Sequence, residues 1–374
     1  MRLAFCLFKY VPHRGLERDF LRIANACLAA GHEIYVYTLS WQGERPPLFS
    51  ITCIPVYAFT NAGRAAQFGQ KLLSYLRKEK YDAVIGFNRM PGLDIYYAAD
   101  PCYCARAREK HGAWYRLLPR YGYYAALEKA VFSPSSKTKI LLLNAAHKKE
   151  FMRYHQTPEE RFELLPAGIG RDRDRPADQA DVRIRVRRAA GIAADEKIVL
   201  MAGSDFKLKG VDRGLLAMAS LTPTVQHKTY LWIVGKGDIA AMEKLAKKLD
   251  IHKRVKFFGP REDIVDFYAA SDILLHLSYQ ETAGMVLIEA MVAGLPVLVT
   301  ANCGYAAYIQ TARAGSLVPE PFQQAVLNQL LLTLLSDEKL LADYRQNALA
   351  YVQSHDLFHL PERVVEIIEH VGKA

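Results

Sequence analysis

Apolar residues along the chain gather in short runs separated by segments whose apolar positions recur at helical spacing. Residues 2–8 (RLAFCLF) predict a buried strand, residues 17–29 an amphipathic helix through Phe20, Leu21, Ile23, Ala24 and Cys27, and residues 34–39 (IYVYTL) a second strand. Further strands are predicted at 51–56, 83–87, 95–99 and 140–144, with a helix at 65–78. A Gly- and charge-rich run over 167–176 reads as an interdomain linker, followed by an arginine-rich, solvated helix at 177–188. The rhythm then restarts: strands at 197–203, 230–234, 255–259 and 272–277, helices at 211–221 and 238–249, with residues 304–310 and 315–318 assigned to the end of the sheet and helices at 322–335, 339–354 and 360–371. A strand every 20 to 30 residues or so, with helices between, argues α/β architecture with parallel doubly wound sheets.

Within this pattern residues 278–300, SYQETAGMVLIEAMVAGLPVLVT, read as loop, helix and strand. The loop leaves a strand's carboxyl end, where open α/β sheets bind ligands, and the helix start at Ala283 and Gly284 offers backbone N–H groups to an anion. Glu281 lies in the loop and Glu289 in the second turn; a carboxylate accepts hydrogen bonds from vicinal hydroxyls, so a phosphate-plus-sugar site is plausible chemistry here. Lys209 follows the 197–203 strand beside Gly210 and is a phosphate cation or a solvated lysine. In the first half, Gly15 follows the first strand as a bare turn or a close approach to a ligand. Asp100 ends the strand at 95–99 as a satisfied loop residue or a group placed in a cleft, and the cleft is favoured because the other strand ends point the same way. The opening lacks G-x-G-x-x-G, which argues against a dinucleotide cofactor.

The 374 residues suggest two domains. Residues 1–10 form one strand-like run broken by Lys9 rather than a signal peptide, and no segment approaches the length of a membrane span, so the chain is expected to fold in the cytoplasm. Its six cysteines lack metal-ligand spacing and read as reduced structural thiols. Asp172-Arg-Asp174 spells D-x-D, but arginines flank it and a charge-neutralised loop is preferred to a metal site. The net charge of +10 calls for an acidic partner. It concentrates in residues 103–132, where six cations face Glu109 and Glu128 for a net +4, interleaved with seven aromatic residues. Three readings remain: a surface for anionic lipid headgroups, an RNA-stacking surface, or a partly buried helical pair with a solvated basic face. The lipid surface is preferred; no RRM, KH, OB or zinc-knuckle pattern supports nucleic acid.

Two Rossmann-like halves, S-x4-K-G at Ser204 to Gly210 and E-x7-E at Glu281 and Glu289 resemble the retaining glycosyltransferases of family four, of GT-B fold. AFCLFKY, GLERDF, GFNRMPGLD, YAAD, GSDF, KGVDR and AGLPVL, spread over nearly the whole chain, resemble the lipopolysaccharide core glucosyltransferase I family of Gram-negative bacteria. The resemblance implies two domains facing a central cleft: residues 1–168 on the acceptor side, with 103–132 facing the membrane, 169–355 binding the nucleotide sugar, and 356–374 crossing back to the first. It implies transfer from UDP-glucose to an inner-core heptose with retention, needing neither metal nor cofactor, by an enzyme peripheral to the cytoplasmic face of the inner membrane and not binding nucleic acid. Another UDP-sugar, such as galactosamine or an N-acetylhexosamine, or an exopolysaccharide or capsule acceptor, fits the same scaffold. By the same resemblance Glu289 holds the ribose, Glu281 the donor sugar, the amides of Ala283, Gly284 and Met285 the sugar and diphosphate, and Lys209 the diphosphate. Gly15 and Arg173 approach the leaving group, Ser204, Gly235 and Arg261 join the donor-binding set, and Asp100 and Asp19 stand near the sugar or acceptor. Leu208 departs from the pattern, since close relatives carry a second basic residue there, as does Ser204, where the wider family often has arginine.

Overall fold

Short β-branched and aromatic runs assemble into two large, wholly parallel sheets whose inner strands are buried on both faces, as crossover helices require, and a two-stranded parallel pair, Lys9–Tyr10 with Ser40–Trp41. The computed structural model describes residues 1–12 and 15–373, with the backbone alone at Lys110 and Ala113. The first sheet runs Phe49–Cys53, Glu33–Thr38, Arg2–Cys6, Ala83–Gly86, Ile95–Ala98, Lys139–Leu142, Phe162–Leu164. The second runs Val255–Gly259, Thr229–Val234, Lys197–Ala202, Ile273–His276, Val297–Thr300, Gly315–Val318. In each, the earliest strand lies inside the sheet, with the next two to one side and the later ones to the other. The strand order therefore reverses beside it, and the carboxyl ends flanking that reversal are where such sheets hold ligands.

The chain divides into two units, Met1–Pro166 with His359–Ala374, and Ala167–Phe358. The closing helix Leu360–Gly372 belongs to the first unit and packs on helix Gly15–Ala29, where Glu369 meets His32 at 3.0 Å. Gly15 is the first residue of that helix rather than a loop glycine; His13 and Arg14 of the expected loop lie outside the described residues. Residues 304–310, assigned above to the sheet's end, fall largely in helix Ala306–Ala312, which supplies the crossover into strand Gly315–Val318.

The arginine-rich helix is a larger departure. Helix Gln179–Ala189 is not simply solvated: Arg183 and Arg187 both reach the buried Asp272 carboxylate, at 2.6 and 3.2 Å, and Ile198 donates its amide to the same group at 2.8 Å. Arg183 also donates to Ala270 O and Ser271 O, and Arg187 to Ala270 O, so the pair caps helix Ile264–Ala270. Asp272 immediately precedes strand Ile273–His276, so this clamp fixes the amino end of a strand whose carboxyl end carries the candidate site. Arginine count along a helix does not reveal a buried partner eighty-odd residues away; contact does. Asp272→Ala leaves two guanidiniums unpaired, one of them buried, and is expected to destabilise the protein by about 3 to 5 kcal/mol. Urea denaturation checks this through a lowered midpoint.

Candidate functional site

At the reversal of the second sheet, Val199 pairs with Ile273 and Leu200 with Leu274, so the loops leaving these strands are neighbours. Tyr279 donates its amide to Leu208 O at 2.9 Å, and Arg213 donates to Leu277 O at 3.0 Å while lying 3.7 Å from the Tyr279 ring centroid. The two loops are thereby held together, and Lys209 reaches Glu281 in an ion pair. His276, at the end of its strand, places Nε2 at 3.3 Å from the same Glu281 oxygen and 3.1 Å from Ser278 Oγ. A carboxylate only accepts, so Nε2 carries the proton. Burial alone would raise the Glu281 carboxyl; the His276 hydrogen bond and the charge of Lys209 outweigh it and bring the pKa down from the ordinary 4.5 to about 2.

Beyond Glu281 the chain turns through Gly284, at φ +93°, into helix Met285–Val292. An added Cβ on Gly284 would lie 2.4 Å from Cys303 Sγ, so both conformation and space demand glycine. Ala283 O accepts the Tyr305 amide at 2.7 Å, tying the turn from its other side, and no side chain caps the helix start, leaving that end able to face an anion. Glu289 is 3 % exposed and accepts from the Tyr268 hydroxyl at 2.6 Å. Gly235 closes the neighbouring strand end against Gly203, whose carbonyl oxygen an added Cβ would approach to 2.0 Å. Ser204 is exposed in the same loop region. Arg173 and Arg261 are engaged elsewhere: Arg173 with Asp172 at 3.1 Å, as the charge-neutralised reading of that D-x-D expects, and Arg261 in a fork on Asp263 at 2.8 and 2.6 Å.

In the first unit, Gly15 has no described protein atom within 4 Å of an added Cβ, so nothing in its described surroundings demands glycine. Asp19 is buried, accepts from the Tyr97 hydroxyl at 2.9 Å and lies 3.6 Å from Arg22. Asp100 is exposed just past strand Ile95–Ala98, and Arg89 donates to its carbonyl oxygen at 3.0 Å. The basic aromatic stretch folds as helix Tyr103–His111, a 3-10 turn Ala113–Leu117 and helix Pro119–Phe132. Glu128 is buried and holds the stretch together: it accepts the amides of Tyr103 at 2.6 Å and Cys104 at 2.9 Å, and meets Arg89 at 3.1 Å and His155 at 3.0 Å. Burial would raise its carboxyl, but His155, Arg89 and the two amides lower it to about 2. With Glu128 turned inward, the outer face of the connection shows Trp114, Leu117, Leu118 and Tyr123 among exposed Arg108, Arg116 and Arg120. Cys102, Glu128 and His155 have ligand atoms near enough to surround an ion, but the Arg89 guanidinium already stands against that carboxylate and opposes a cation.

Residues 13–173 match the family described as Glycosyltransferase Family 4, and residues 182–351 the family described as Glycosyl transferases group 1. The lipopolysaccharide glucosyltransferase WaaG of Escherichia coli (strain K12) is 44% identical over 368 residues, covering 98% of each chain. The chain belongs to the WaaG family of glycosyltransferases. A crystal structure of WaaG superposes with a TM-score of 0.92 at 44% identity, covering 98% of this chain and 99% of that one. The two units are thus the Rossmann-like domains of a GT-B enzyme. Anabaena Alr3699/HepE, solved with UDP and glucose, shares the fold alone, at TM-score 0.73 and 18% identity over 99% of this chain and 100% of that one.

The residues of this family member that the sequence reading passed over are His276 and Tyr268, the partners of the two glutamates. His276 carried a signal, being with Asp272 one of the two polar positions in DILLHL, since a polar group in a buried strand needs a partner. Because the folded-state pKa of Glu281 is depressed, its contribution to stability is present above about pH 4.5 and is lost as pH falls toward about 2. Glu281→Gln is expected to remove that dependence, so thermal unfolding followed between pH 5 and 2 falls less steeply in the variant than in the wild type.

Proposed function

We propose that the chain is a retaining glucosyltransferase of lipopolysaccharide assembly, moving glucose from UDP-glucose to a heptose of the inner core. The observation that carries this is the ionised Glu281 held beside Lys209 at the carboxyl end of the second sheet, next to an uncapped helix start. The name of the WaaG relative, a lipopolysaccharide glucosyltransferase, supports glucose as the sugar moved and lipopolysaccharide as the product assembled. In this reading Lys209 and the amides of Ala283, Gly284 and Met285 meet the diphosphate, Glu281 the sugar hydroxyls and Glu289 the ribose, with Ser204, Gly235, Arg173 and Arg261 in the surrounding loops. Gly15 leaves room for the leaving group, and Asp19 and Asp100 serve the acceptor or sugar.

Retention without a protein nucleophile follows if the bond from the anomeric carbon to the β-phosphate oxygen breaks as the acceptor oxygen bonds to the same face. The departing phosphate oxygen takes the acceptor's proton. The protein then positions the two sugars and stabilises charge on the diphosphate, which Lys209 and the helix dipole do without calling for a divalent ion or a cofactor. Incubation with a panel of UDP-sugars in EDTA is expected to give transfer to truncated core lipopolysaccharide from UDP-glucose, with Lys209→Met and Glu281→Ala reduced by about a hundredfold or more. Undiminished turnover in both variants contradicts the site.

The outer face of residues 103–132 fits docking on an anionic membrane: apolar and aromatic side chains enter the interface while arginines meet headgroups. No helix among the described residues is long and apolar enough to cross a bilayer. Peripheral attachment to the inner face of the inner membrane, with no role for nucleic acid, is accordingly part of the proposal. Vesicle binding is expected to require anionic lipid, to fall with added salt and to drop when Arg108, Arg116 and Arg120 are neutralised. Equal binding to neutral vesicles counts against it.

A further inference from the structure

Within the second unit a cavity of ≈ 570 Å³ opens between the start of helix Gln179–Ala189, the end of helix Ile264–Ala270, the turn at residues 293–295 and helix Glu338–Ser354. Its size falls among small-molecule sites, which run from about 300 to 1,000 Å³. None of the residues assigned to the donor lines it. Three arginines do, Arg175, Arg183 and Arg345, against one carboxylate, Asp174. Arg183 is committed to Asp272. Arg345 spends its Nε on Gly294 O at 3.3 Å and forms no ion pair among the described residues; the Arg175 guanidinium makes neither ion pair nor hydrogen bond among them. The helix start is also open, since Asp178 at its N-cap makes no side-chain cap bond while Ala177, Gln179 and Ala180 line the cavity. A helix start, the free Arg175 guanidinium and the remaining N–H groups of Arg345, both side chains being solvent-exposed, together form an anion receptor, and guanidinium geometry suits phosphate. The remaining wall includes Pro176, Leu295 and Leu349, which suits a carbon body rather than a bare ion.

We infer that this cavity binds a phosphomonoester of sugar size, with its phosphate between Arg175, Arg345 and the helix start and its body against Pro176, Leu295 and Leu349. The inference does not rest on the donor or acceptor proposed above. It places an occupant next to the supports of Glu289: Tyr268 lines the cavity and donates to Glu289 at 2.6 Å, and Ala293 and Gly294, also in the lining, follow the helix that carries it.

The test is isothermal titration of the full-length protein, with excess UDP present, against glucose 6-phosphate and against inorganic phosphate. One saturable site is expected, tighter for glucose 6-phosphate, and weakened about tenfold or more by Arg175→Gln, which removes a side chain with no bond of its own to the fold. Arg345→Gln is expected to weaken it likewise. Lys209→Met, titrated without UDP, keeps the affinity. Absence of saturable binding, unchanged affinity in Arg175→Gln, or loss in Lys209→Met, which would put the phosphate at the donor loop, overturns the inference.

Discussion

A carboxylate at 16% side-chain exposure stays ionised only when its partners offset its desolvation, and Glu281 has the charge of Lys209 and a hydrogen bond from His276. Neither comes from its own loop. His276 arrives at the end of strand Ile273–His276, and Lys209 from the loop after the adjacent strand Lys197–Ala202. The site therefore depends on the reversal of strand order that makes those two strands neighbours, and on the Asp272 clamp that fixes one of them at its far end. Gly284 is required where Cys303 and the turn into the next helix meet, because the loop carrying Glu281 has to fold back closely enough to receive the lysine.

The ion pair gives the donor reading a specific physical content. Lys209 without a donor is already neutralised, so a diphosphate does not meet a bare cation; it competes with Glu281 for a shared one. His276, which also meets Ser278 Oγ, stays with Glu281 when the lysine is shared, and in the proposed reading this holds the carboxylate for the sugar hydroxyls. Glu289 accepts from the Tyr268 hydroxyl and lies on a helix buried along most of its length, which sets its position in the second helical turn.

Much of this was legible in the residues. Continuous apolar runs and period-3.6 patterning located most strands and helices of both sheets, because strands buried on both faces leave little room for polar residues. E-x7-E and the Lys-Gly loop follow two strands that the fold makes neighbours. What escaped was long-range pairing: that Lys209 would be bound to Glu281, that Arg183 and Arg187 would turn from solvent to Asp272, and that Glu128 would leave a basic surface to accept two amides within it. Local spacing carries no information about such partners. The placement of residues 304–310 failed for a related reason, since a short run of small and aromatic residues reads alike as strand or helix until its crossover role is known.

The shared lysine is the central claim, and the affinity of UDP alone measures it most directly. If the diphosphate competes with Glu281 for Lys209, Glu281→Gln binds UDP more tightly than the wild type, and adding Lys209→Met to that variant abolishes the gain. Weaker or unchanged UDP binding in Glu281→Gln would contradict the account.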